Sequence, residues 1–154
     1  MNKKIPVTIL TGFLGAGKTT LLQKILREKH GHRIAVIENE YGALGLDHEL
    51  IERVEEEIVI VQNGCICCTV RKDLIDAVLQ LHENKDLFDS IVIETTGLAD
   101  PFPISQTLLS DPRLRDIVSI DTITTVVDAH LFDQNFAERG PEFQSQIAYA
   151  DLII

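Results

Sequence analysis

Along the chain, short apolar runs alternate with longer segments whose apolar residues recur every three to four positions. The runs are PVTIL at 6–10, RIAVIE at 33–38, EIVIVQ at 57–62, SIVIET at 90–95, ITTVVDA at 123–129 and a last one beginning at DLII, 151–154. They are rich in Val and Ile and lack strict polar alternation, which predicts strands covered by helices on both faces. Between them, Leu21, Leu22, Ile25 and Leu26 fall at helical spacing within 19–29, as do Leu74, Ile75, Val78, Leu79 and Leu81 further on. Repeated strand–helix units of this kind predict the α/β class, a mostly parallel sheet flanked by helices on both faces. From Gly42 to Val54 the pattern weakens, which predicts a loop or a short irregular helix. In ADPFPISQTLLSDP, Pro103 is expected at the start of a short helix and Pro112 beyond its end.

The most specific chemical signal is Gly12-Phe13-Leu14-Gly15-Ala16-Gly17-Lys18-Thr19, which fits GxxxxGK[ST] and stands between a predicted strand and a predicted helix. This reads as a nucleotide phosphate site, the plainer alternative being a glycine-rich turn that merely joins strand to helix. Its glycines let successive backbone amides face phosphate oxygens, and the helix N-terminus adds partial positive charge. Lys18 is expected to reach the β and γ oxygens, and the Thr19 hydroxyl to ligate Mg²⁺. At the end of SIVIETTG, 90–97, Glu94 is placed to orient a magnesium-bound water, and the Gly97 amide to sense the γ-phosphate. The plainer reading of Glu94 is a carboxylate meeting solvent at a strand end. The apolar residues before it aim it at the carboxyl edge of the sheet, where open α/β folds bind ligands.

Composition adds one anomaly: the three cysteines of the 154 residues all lie in NGCICC, at Cys65, Cys67 and Cys68. They follow a predicted strand and precede a predicted helix, so they too belong at the carboxyl edge. Three thiolates suit zinc or another thiophilic divalent ion, with one position left for a carboxylate, histidine, water or a partner's ligand. A redox thiol pair is the rival reading, and burial as small hydrophobes a weaker one. In IENEYGALGLD, 37–47, Glu38, Glu40 and Asp47 offer oxygen ligands, although Glu40 alone reads as an ordinary surface acid. His30 and His32 flank Gly31 as a polar helix end, His48 reads as a loop histidine, and Asp128 as a cap before 130–137. The run 55–57 of glutamates reads as a solvated approach to the next strand.

Charge and hydropathy then narrow the partners. A formal net charge of -10 disfavours diffuse attraction to nucleic acid or anionic lipid. No apolar run reaches the ~18 residues a membrane span needs, and the opening MNKKIPVTIL leads straight into the phosphate loop and not a cleavage site. Three closely spaced cysteines do not make a secreted disulfide framework. A cytoplasmic protein of one domain is expected.

Taken in order, TGFLGAGKTT, IENEYG, NGCICC and IETTGLADP resemble the CobW family of P-loop GTPases, metallochaperones for zinc or cobalt that are similar to the GTPases of nickel insertion. The resemblance covers nearly the whole chain. It implies that Gly12, Gly15, Ala16, Gly17, Lys18, Thr19, Thr20 and Gly97 bind GTP. Lys18 and Glu94 would serve hydrolysis, with Mg²⁺ held by Thr19, Glu94 and Asp47 at the acidic end of a first switch, 39–54. Cys65, Cys67, Cys68 and Glu38 would hold the cargo metal, Zn²⁺ or Co²⁺, for delivery to a client metalloprotein. A homo-oligomer is compatible with this. Two departures stand out. Ala43 replaces a carboxylate found in many relatives, and the sequence stops at YADLII, where the resemblance implies a strand running into an NKxD motif for guanine, so 1–154 is expected to be a GTPase domain truncated before that motif, an N-terminal fragment of a longer protein without the family's usual C-terminal domain. Rival functions are a nucleotide hydrolase with a redox thiol switch, and a metal-storing or sensing module that binds nucleotide without useful turnover.

Overall fold

The computed structural model describes residues 3–39, 51–53, 58–63, 70–138 and 140–154. Strands β1 (Ile5–Thr11), β2 (Ile34–Asn39), β3 (Ile51–Arg53), β4 (Ile58–Asn63), β5 (Ser90–Glu94), β6 (Val118–Thr125) and β7 (Leu152–Ile153) form one sheet. Its order is β3-β4-β2-β5-β1-β6-β7. Every neighbouring pair is parallel except β3 with β4. Among the described residues, five α-helices connect the strands, α1 (Lys18–Arg27), α2 (Val70–Glu83), α3 (Pro101–Ser110), α4 (Phe132–Glu138) and α5 (Gly140–Ala148), with a short 3-10 turn at Lys85–Leu87.

Alternation along the strands sorts their side chains onto two faces. Ile5, Val7 and Ile9 of β1, Ala35 and Ile37 of β2, and Ile91 and Ile93 of β5 pack with Leu74, Ile75, Val78 and Leu81 of α2 and Ile104 and Leu108 of α3. The other face, with Leu10, Ile34, Val36 and Val92, packs with Leu21, Leu22 and Leu26 of α1. Leu22 is 2% exposed, and burying a side chain of its size contributes about 2 kcal/mol. From β1 the chain crosses to β2 on one side, and from β5 to β6 on the other. The crossovers therefore diverge between β1 and β5, opening a crevice at the carboxyl ends of those two strands.

Four expectations need adjustment. The weakly patterned 42–54 stretch contributes β3, paired antiparallel to β4; 40–50 and 54–57 lie outside the described residues. Strand β6 begins at Val118 and ends at Thr125, where 123–129 was expected, because its first half is exposed on one face and carries polar residues there. Helix α3 starts at Pro101, two residues before the proline expected to open it, with Asp100 accepting a bond from the Phe102 amide as its cap. Helix α5 has no counterpart among the expected elements. His30 and His32 do form a turn after α1: Gly31 has φ +73°, and the His32 amide donates to His30 Nδ1. Asp128 likewise caps a turn, accepting from the His130 amide at 2.9 Å.

Candidate nucleotide and metal site

Between β1 and α1 the chain turns through Gly12 at φ +139°, Gly15 at φ +80° and Gly17 at φ +99°. At Gly12 the requirement is also steric, since a Cβ there would lie 2.2 Å from the Val126 carbonyl oxygen. Gly17 stands at the N-cap of α1 and offers no side chain to cap it, so amides of the first turn are left for another acceptor. Lys18 is 8% exposed, and its Nζ reaches back into the loop, donating to the Gly12 carbonyl at 2.7 Å and the Phe13 carbonyl at 3.2 Å. Burial pushes its ammonium below the usual lysine range, opposed by the negative charge of Glu94. A cation held inside a ring of turned backbone at a helix N-terminus makes a cradle for an anion. Ala16 is half-buried in the loop, and Thr19 and Thr20 are exposed on the first turn of α1.

Glu94 ends β5 beside this loop and is 8% exposed. The Thr19 hydroxyl donates to Glu94 Oε1 at 2.7 Å, which brings together two residues 75 positions apart in the sequence. Their hard oxygen donors suit Mg²⁺. Glu38 of β2 is the registered neighbour of Glu94 in the sheet. Both continue the side of their strands that carries Val36 and Val92, which is the face that α1 covers. On its other flank Glu38 pairs with Gln62 of β4, and Asn39 with Asn63. Asp47, Cys65, Cys67 and Cys68 lie outside the described residues, as do Glu40 and His48. Among the described residues no three metal-ligating side chains come together.

Beyond Glu94 the chain folds back over the glycine loop. The Thr95 amide donates to the Leu10 carbonyl, and Gly97 presses so close that a Cβ would lie 2.4 Å from the Leu14 backbone nitrogen. Gly97 is thereby beside the loop. Two residues absent from the sequence reading join it here: Gln146 Nε2 donates to the Gly97 and Ala99 carbonyls at 3.2 and 3.0 Å, and Ser145 Oγ to Asp100 Oδ1 at 2.7 Å. The only sequence signal at these positions was the amphipathic spacing of Phe143 and Gln146 in α5. A small cavity behind the loop is lined by Phe13, Leu14, Val127, Leu131, Asn135 and Phe143.

Among the described residues no helix is long and apolar enough to cross a membrane. Over 97% of its length the chain is 48% identical to the zinc chaperone YjiA of Escherichia coli, and 46% identical to the zinc-regulated GTPase metalloprotein activator 1 of Schizosaccharomyces pombe. It spans 48% and 38% of the lengths of those two relatives. The crystal structure of Zn(II)-bound YjiA GTPase from E. coli superposes on 99% of the chain, which covers 49% of that structure, with TM-score 0.73 and 40% identity over the structural alignment. The signal recognition particle receptor FtsY of Elizabethkingia anophelis shares the fold at 18% identity, with TM-score 0.59 over 98% of the chain and 49% of its own. Residues 6–154 match the model of the CobW/HypB/UreG nucleotide-binding domain, and the chain belongs to that family.

Proposed function

We propose that this chain is the GTP-binding and GTP-hydrolysing unit of a cytoplasmic metallochaperone, which couples nucleotide state to the capture of a divalent metal, zinc, and its delivery to a client metalloprotein. The observation that carries the reading is the Thr19–Glu94 hydrogen bond at the mouth of the glycine loop, with Lys18 held inside that loop. An unrelated glycine turn has no reason to bring a hydroxyl, a carboxylate and a buried ammonium together. The zinc and the GTP come from the relatives, which are a zinc chaperone and a zinc-regulated GTPase activator by name.

On this reading the amides of 12–19 and the α1 N-terminus hold the phosphates. Lys18 exchanges its bonds to the Gly12 and Phe13 carbonyls for β and γ oxygens and stabilises charge as water attacks the γ-phosphate. Thr19 and Glu94 would hold Mg²⁺, which supplies neutralisation of phosphate charge when bound. Glu94 also orients the attacking water, and Asp47 completes the oxygen set. Cys65, Cys67, Cys68 and Glu38 take the cargo zinc; Glu38 is one strand from Glu94, and the cysteine segment begins two residues after Asn63 of the adjoining strand.

Zinc titration of the reduced protein in its GTP-analogue and GDP forms tests the coupling. The expected result is stoichiometric zinc, lost in a Cys65→Ser, Cys67→Ser, Cys68→Ser variant, with at least a tenfold affinity difference between forms, equivalent to ~1.4 kcal/mol. Equal affinities refute the coupling, and zinc binding unchanged by the substitutions refutes the site.

A further inference from the structure

Helix α5 reaches the loop after Glu94 through a side chain that a merely structural helix would not need. Gln146 is fully buried, and its amide nitrogen donates to two backbone carbonyls, Gly97 at 3.2 Å and Ala99 at 3.0 Å. Two carbonyl acceptors fix the amide orientation, because its oxygen could bond to neither. That oxygen has no hydrogen-bond partner among the described residues. Burying it without one costs free energy that leucine or methionine would avoid in the same space. The main-chain carbonyl of Gln146 accepts from Thr125 Oγ1 at 2.7 Å, tying this turn of α5 to the carboxyl end of β6. Ser145 adds its bond to Asp100. Gly97 also rests against the Leu14 backbone. The 97–100 segment is therefore held by contacts to both the glycine loop and α5.

We infer that Gln146 is a positioning residue for the γ-phosphate: by holding the Gly97 and Ala99 carbonyls, it keeps the Gly97 amide preorganised beside the glycine loop. The inference rests on the nucleotide site proposed above and assigns Gln146 a part in discriminating GTP from GDP. Its two bonds act on the segment that would meet the γ-phosphate. They leave untouched the loop amides and Lys18, which hold the phosphates that GDP also carries. Loss of the amide should therefore weaken binding of the triphosphate selectively.

The test is calorimetric titration of the full chain, as wild type, Gln146→Met and Ser145→Ala, with GDP and with a non-hydrolysable GTP analogue, alongside thermal melting and steady-state kcat. Methionine keeps the volume and removes both donors. The expected result is an about tenfold loss of analogue affinity and of kcat in Q146M, with GDP affinity changed less than about twofold. S145A, which removes a half-buried hydroxyl, should move the same ratio about threefold, and it carries the test if Q146M fails to fold. Unchanged ratios in the variants, or equal losses for both nucleotides, overturn the role of Gln146 alone. A wild type that binds the analogue no better than GDP instead refutes the γ-phosphate sensing on which it rests.

Discussion

Replacing Gly97 by alanine puts the closure of the loop over the glycine turn to a quantitative test. The added Cβ would lie 2.4 Å from the Leu14 nitrogen, 2.6 Å from its Cα and 2.9 Å from its Cβ. Ordinary contact begins near 3.4 Å, so about 1 Å of separation is missing, and the nearest obstructing atoms are backbone. Retreat of the 97–99 segment is resisted by Gln146, which holds it through two hydrogen bonds. Overpacking of this kind costs about 1–3 kcal/mol, and each hydrogen bond broken in relieving it about 1 kcal/mol more. The variant should lose about 2–4 kcal/mol of stability, a fall in Tm of roughly 5–15 °C for a chain of this size. Hydrolysis should suffer further, because a displacement of about 1 Å near reacting groups can lower kcat about 100-fold. Gly31→Ala is the control: its φ of +73° strains any alanine, but no atom lies within 4 Å and the turn is remote from the site. It should cost about 1 kcal/mol and leave kcat unchanged. A G97A protein that melts within 2 °C of wild type and turns over GTP within about threefold refutes the close contact and the argument built on it.

Glu94→Gln keeps an acceptor for the Thr19 hydroxyl but removes the charge, so GTP binding should survive within a few-fold. Hydrolysis should fall about 100-fold and need more Mg²⁺, and a magnesium titration of kcat checks both. At the amino edge of the sheet, hydrogen bonds from the Arg33 side chain and then its amide pull the Asp89 carboxyl down to about 2 from 3.8. With the folded value depressed, the pair stabilises the fold above about pH 4, and that contribution is lost as pH falls towards about 2. Asp89→Asn should therefore lower Tm at pH 7 and narrow its difference from wild type as pH approaches 2; a gap independent of pH contradicts the assignment.

The parts of the fold legible in the sequence were those whose signal is local. The inner strands are continuous Val and Ile runs because helices bury them on both sides, and the glycine loop carries its chemistry within eight consecutive residues. Strand β3 was not legible: three residues at a sheet edge exist through pairing with β4, not through any periodicity of their own. The first half of β6 was hidden by polar residues on its exposed side. Glu94 stands out as a candidate because an apolar strand aims it, whereas Gln146 does not, because a glutamine on an amphipathic helix reads as surface. Its partners lie 47 and 49 residues earlier, and only tertiary packing brings them to it.

Topology also bears on how a nucleotide site and a thiol site could communicate. From Glu94 on β5, through Glu38 on β2, to Asn63 at the end of β4 is two strand spacings, or about 10 Å. At an effective dielectric of about 20, a unit change of charge at one end alters the energy of a unit charge at the other by about 1.7 kcal/mol. Were the γ-phosphate and the zinc of the proposed site bound near these two ends, that would match the ~1.4 kcal/mol of a tenfold affinity change, so charge alone is one source for the proposed coupling. Contact between switch loops is the alternative source, and ionic strength separates the two. A through-space coupling weakens as the Debye length contracts from about 10 Å at 0.1 M to about 3 Å at 1 M salt, and one carried by packed loops persists. Repeating the zinc titrations across that range assigns the coupling to charge if the ratio between nucleotide forms collapses, and to loop contacts if it holds.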